Sequence, residues 1–167
     1  RFTMARSFYK SILKFVTRQH NDDYQVTPLT PTDFAVDIDA NNGVATLSWS
    51  PVNDPLEPTA RPTGYVVYTA TGSADFDNGT VVGNNTSTAI HLEPGVLYSF
   101  RVAAINKGGC SFPSEVLSAV YNPYARHKIM IVTAFDRLSS PAIVNRPLGK
   151  GFDIDADAGL TYGKTIG

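Results

Sequence analysis

The sequence predicts a mainly β protein: a seven-stranded antiparallel sandwich, entered by an N-terminal amphipathic helix and left through a C-terminal partial α/β-type segment. Three observations point there. Between Phe34 and Tyr121 apolar and polar residues alternate with a period of two, cut at short intervals by turn dipeptides. Before that stretch the apolar spacing is three to four residues, and after it a continuous apolar run replaces the alternation.

The helix comes first. Met4, Phe8, Ile12, Leu13, Phe15 and Val16 form one stripe over residues 1–20. A single helix of this length is marginal in water, so the stripe is expected to dock. "HNDDYQVTPLTP" then stops the helix, and residues 21–31 read as a linker with two prolines. Strands are expected at 34–39, 44–50, 64–70, 79–83, 87–92, 97–105 and 114–120, with turns at Asn42-Gly43, Thr71-Gly72, Asn78-Gly79 and Pro94-Gly95. Ala45, Leu47 and Trp49 share one face of the second strand. Tyr98, Phe100, Val102 and Ala104 share one face of the sixth, opposite the polar Ser99 and Arg101. From 124 onward the pattern changes: Ile129 to Phe135 is continuously apolar, as in a strand buried on both faces of an α/β sheet, and residues 124–167 read as the incomplete start of a following domain.

Hydrophobic residues make up 43% and charged residues 17%, which suits a buried core. No apolar run approaches the roughly 20 residues of a membrane-spanning helix. The chain opens on Arg1 without a secretory leader and closes on "TYGKTIG" straight after a patterned segment, so it reads as a piece of a longer protein. Its net charge of −1 hides a segregation. Residues 1–20 carry five basic and no acidic side chains, whereas residues 28–122 carry three basic and nine acidic ones, a balance that argues against nucleic acid as a partner. One cysteine, Cys110, excludes an intrachain disulfide.

Several pieces of the β stretch resemble a known family. "LSWSPV" with Trp49, the corner Leu92-x-Pro94-Gly95-x-x-Tyr98, the strand end Ala104-x-Asn106, and the return Ser111, Pro113, Ser114, Glu115 follow in the order of a fibronectin type III domain, an immunoglobulin-like sandwich, over about residues 28–122. The resemblance implies a core role for Trp49, and a tyrosine corner running from Leu92 to Tyr98 in which the Tyr98 hydroxyl bonds to nearby backbone. No Arg-Gly-Asp is present. The flanks, "ARSFYKSILKFV" before and "RHKIMIVTAFDRLSSP" with "GFDIDADAGLTYG" after, resemble secreted Bacteroidetes-type multidomain proteins labelled xanthan lyase or N-acetylmuramoyl-L-alanine amidase. That implies a secreted, periplasmic or cell-surface location, with residues 1–20 as the last helix of a preceding, hydrolase-like domain.

Candidate chemistry is sparse. Asp153, Asp155 and Asp157 alternate as the oxygen ligands of a calcium loop do, but Ala158 and Lys164 stand where a turn glycine and a bidentate glutamate belong, so a solvated acidic turn is the competing reading. Asp136 directly follows the apolar run, where α/β sheets place functional carboxylates, and equally where a capping residue sits. No cofactor is otherwise implied. The loops 51–62 and 106–113 offer Asn53, Asp54, Lys107 and Phe112 as contact residues. Three functions therefore stand. The first is a non-catalytic spacer or interaction module contacting adjacent domains, within a parent acting on polysaccharide or peptidoglycan. The second is a fragment contributing the carboxylates Asp136, Asp153, Asp155 and Asp157 to a hydrolase or lyase. The third is an adhesion module gripping a protein through its loops.

Overall fold

The computed structural model describes residues 2–132, 142–146 and 149–153. Helix α1 spans Phe2–His20. Eight strands follow: β1 Thr32–Asp39, β2 Val44–Ser50, β3 Gly64–Thr71, β4 Thr80–Val81, β5 Ser87–His91, β6 Leu97–Asn106, β7 Gly109–Cys110 and β8 Leu117–Val120. A one-turn 3-10 helix, Pro58–Ala60, sits between β2 and β3. The chain divides into two compact units, 1–125 and 126–167, and in the second β9 Ala142–Arg146 pairs antiparallel with β10 Gly149–Asp153.

The sandwich is built from two antiparallel sheets, one ordered β1-β2-β5 and the other β4-β3-β6, with β7 and β8 pairing opposite ends of β6. The two-residue period puts Ala45, Leu47 and Trp49 of β2 on the inner face, against Tyr65 and Val67 of β3 and Phe100, Val102 and Ala104 of β6. Trp49 packs its ring on Tyr65 at 5.5 Å between centroids. Leu92 is buried, and the Glu93 N–H donates to the Tyr98 hydroxyl at 3.3 Å, closing the corner that the sequence implied.

Two expectations change. The last strand, expected from 114, begins at Leu117. Residues 111–114 run beside β6 instead, and their serines complete its ladder. Ser111 Oγ accepts from the Ala104 N–H at 2.9 Å and Ser114 Oγ from the Val102 N–H at 3.0 Å, while the Ser111 and Ser114 N–H groups donate to the carbonyls of Ala104 and Val102. The N–H and C=O groups of Val102 and Ala104 thus find partners although the facing chain is not a strand.

The expected buried strand from Ile129 also differs. Ile129, Met130, Ile131 and Val132 lie in no strand and are 70–89% exposed; residues 133–135 lie outside the described residues. A strand buried on both faces needs sheet neighbours, and the pairing described in this unit is the antiparallel hairpin β9–β10, which needs no crossover helix.

Candidate functional site

The loop residues named from the sequence lie at one end of the sandwich but differ in availability. Asn53, Lys107 and Phe112 are exposed, Phe112 at 78%. Asp54 is not free: its side chain is 8% exposed and is held by Arg6 of α1. Of the aspartates, Asp153 ends β10 with its backbone paired to Ala142, and Asp136, Asp155 and Asp157 lie outside the described residues. Among the described residues no three His, Cys, Asp or Glu side chains gather as a metal ion requires.

The densest polar constellation joins α1 to the loop between β2 and β3. Arg6 Nε donates to Asp54 Oδ2 at 2.9 Å, and its Nη2 donates to the Thr27 carbonyl at 3.1 Å. One turn on, Lys10 Nζ lies 3.6 Å from Glu57 Oε2. The spacing explains the match. Arg6 and Lys10 are four residues apart on a helix and so lie on one face, and the short loop offers Asp54 and Glu57 three residues apart. The Tyr24 hydroxyl donates to Glu57 Oε2 at 3.0 Å and the Thr59 hydroxyl to Oε1 at 2.8 Å, so a carboxylate that is 7% exposed has partners on both oxygens. The Thr27 N–H donates to the Tyr9 hydroxyl at 3.3 Å, and Lys14 Nζ stands 5.2 Å over the Tyr24 ring.

Electrostatics follow from these contacts. Burial alone would raise the Asp54 and Glu57 carboxyls. For Asp54 the Leu56 N–H and Arg6 reverse this, and for Glu57 Thr59, Tyr24 and Lys10 do, so both are held below the usual range. Tyr24 goes the other way: burial, then its bond to Glu57 and the charge there, push its hydroxyl up to about 12.

The segment read as a linker is bound along its length. Asn106, at the end of β6, donates through Nδ2 to the Val26 carbonyl at 2.8 Å and the Thr59 carbonyl at 3.2 Å, and accepts from the Gly108 N–H at 2.8 Å. Gln25 Nε2 donates to the Thr59 carbonyl, the Val26 N–H donates to Thr59 Oγ1 at 3.2 Å, and Thr30 Oγ1 donates to the Phe112 carbonyl at 3.0 Å. Val26 is fully buried. Helix, linker and both candidate loops are thus one polar assembly around Asn106 and Glu57.

The helix docks opposite to expectation. Of the expected stripe, Met4, Phe8, Ile12 and Phe15 stay 64–67% exposed and Val16 42%, and Leu13 alone is half-buried, on the side where Arg6, Tyr9 and Lys10 turn inward. The reason is chemical: at this end the sandwich presents loop carboxylates and carbonyls, which cations satisfy and alkyl side chains do not. Sequence reading missed Arg6, Lys10, Tyr24 and Glu57. Their only local signal was the pair of spacings, which carries no information about which charges meet.

A shallow cavity of about 190 Å³ near the same end is lined by Pro51, Asn53, Arg61, Pro62, Tyr65, Asn84 and Thr86. Its lining holds no carboxylate, histidine or thiol, so the Tyr65 and Thr86 hydroxyls there have no activating base among the lining residues. Nor does the sheet offer a sugar-stacking platform: Tyr65 is 1% exposed, and Arg101 lies over Tyr68 and Phe76 at 5.0 and 4.2 Å.

A family model described as the fibronectin type III domain matches residues 29–120, more than half of the chain. Neural cell adhesion molecule L1 of mouse is 41% identical over 80 residues, 47% of this chain and 6% of that protein. The human form is 50% identical over 50 residues, 30% of this chain and 4% of that protein. The chain therefore spans only a small part of these relatives. Among solved structures, the chicken CNTN1 FN1–FN3 domains superpose with a TM-score of 0.50 at 21% identity, over 60% of this chain and 34% of that one, a likeness of fold alone.

Proposed function

The chain belongs to the fibronectin type III family, and on that premise we propose that it is a non-catalytic spacer and interaction module that holds α1 at a fixed angle to its sandwich. One observation carries the reading: Arg6–Asp54 and Lys10–Glu57, with the bound linker, replace a flexible tether by a polar joint with little exposed surface. A helix fixed in this way orients whatever polypeptide adjoins it. Likeness to segments of L1, an adhesion molecule, supports an interaction role without adding a partner. An extracellular or cell-surface setting fits the same likeness. A parent acting on polysaccharide or peptidoglycan is the narrower form of this proposal; it rests on the resemblance of the flanking sequences alone, and the relatives named above, animal adhesion molecules, lend it nothing.

The test is a distance distribution. In a Cys110→Ser background, one spin label on α1 at Gln19 and one on the sandwich at Thr88 should give a single narrow distance. A broad distribution in the unaltered joint would overturn the spacer reading.

A further inference from the structure

We propose that the apolar stripe of α1 is a self-association surface, taken by the same stripe of a second copy in an antiparallel helix pair. At about 100° per residue, Met4, Phe15, Phe8, Ile12 and Val16 fall within about 120° of the helix surface, with Ala5 among them and Gln19 the polar residue at the C-terminal end of the arc. The docked residues Arg6 and Lys10 lie on the opposite side. The stripe presents on the order of 600 Å² of apolar surface, at the upper end of what a monomer leaves in one patch.

Three features select a second copy. First, a helix with five cations and no anions should repel itself, but three of the five are taken up away from the stripe, Arg6 and Lys10 by Asp54 and Glu57 and Lys14 over Tyr24, while Arg18 stays exposed beside the stripe's Met4 edge. Second, an antiparallel pair sets the exposed Asp22 and Asp23, just past the helix C-terminus, beside the electropositive N-terminus of the partner helix. Third, residue i then faces roughly residue 20 − i, so Met4 meets Val16 and Phe8 meets Ile12 across a two-fold axis. The two stripes together present on the order of 1,200 Å², enough to supply the about 1,000 Å² that a specific interface needs. This arrangement does not depend on the spacer reading.

Sedimentation equilibrium of the 167-residue chain, from micromolar to near-millimolar concentration, tests the proposal. A concentration-dependent dimer is expected, lost by at least tenfold in Kd in Phe8→Glu/Ile12→Glu, with the thermal transition of the sandwich unchanged. A monomer at every concentration overturns it. So does a dimer that survives the double substitution, or one abolished instead by Ile129→Glu/Ile131→Glu. Spin labels at Met4 in a Cys110→Ser background report the direction. Antiparallel helices set the two sites about 18 Å apart along the axis, and labels side by side overturn that arrangement.

Discussion

Arg6 and Asp54 meet at 2.9 Å with side chains 13% and 8% exposed, and the same guanidinium reaches the Thr27 carbonyl. One side chain thus ties the helix both to the loop after β2 and to the segment that leads into β1.

Arg6→Ala should loosen the helix without unfolding the sandwich. It leaves Asp54 partly buried with the Leu56 N–H as its remaining donor, so the docking equilibrium should shift by about 1–3 kcal/mol. Amide exchange will show it: protection falls at Thr27 and along α1 while β2 and β6 keep theirs. Arg6→Asp combined with Asp54→Arg should recover part of the loss. No recovery would mean that the pair acts through packing, not charge.

The joint should open in acid. Folded Asp54 and Glu57 titrate below their ordinary values, so their stabilisation is fully present above about pH 5 and is lost as pH falls through about 4 and below. Tyr24 has the opposite sign. Its contribution holds below about pH 10 and disappears as pH rises toward 12. The width of the label-to-label distance distribution against pH is the readout, and a flat profile between pH 6 and 3 would contradict the assignment.

Ser114→Ala strips the Val102 N–H of its side-chain acceptor in a buried position, at a cost of about 1–3 kcal/mol. Urea unfolding should report a lower midpoint with an unchanged slope. Glu115→Ala, next to it but exposed, should move the midpoint by no more than about 0.5 kcal/mol.

Gly108→Ala should disturb the linker. A Cβ there would stand 2.5 Å from the Gln25 carbonyl oxygen, so backbone has to move, at about 1–3 kcal/mol. The expected sign is lost protection at Val26 and Thr27, with the core around Phe100 intact. A substitution without effect on either would show that the linker yields freely.

Much of the fold was legible because strands write a local code. The alternation through Ala45, Leu47 and Trp49, and through Phe100, Val102 and Ala104, names the buried face residue by residue, and Asn42-Gly43 marks a turn whose glycine has a φ of +63°. The Leu92 to Tyr98 corner was readable from the family resemblance and not from periodicity. Ser111 and Ser114 were readable only as a motif, since their hydrogen bonds depend on where β6 lies.

The sequence by itself determined the sandwich, its strand boundaries to within a few residues, and the existence of an amphipathic helix. These follow from periodicity, which acts between near neighbours. Only the tertiary structure decided which face of the helix turns inward. That choice is made between groups about 50 residues apart, Arg6 with Asp54 and Lys10 with Glu57. Hydrophobic pattern alone favours burying the stripe, but the surface that α1 meets carries carboxylates and carbonyls, and there a cation gains a partner where a phenyl ring would leave polar groups unpaired.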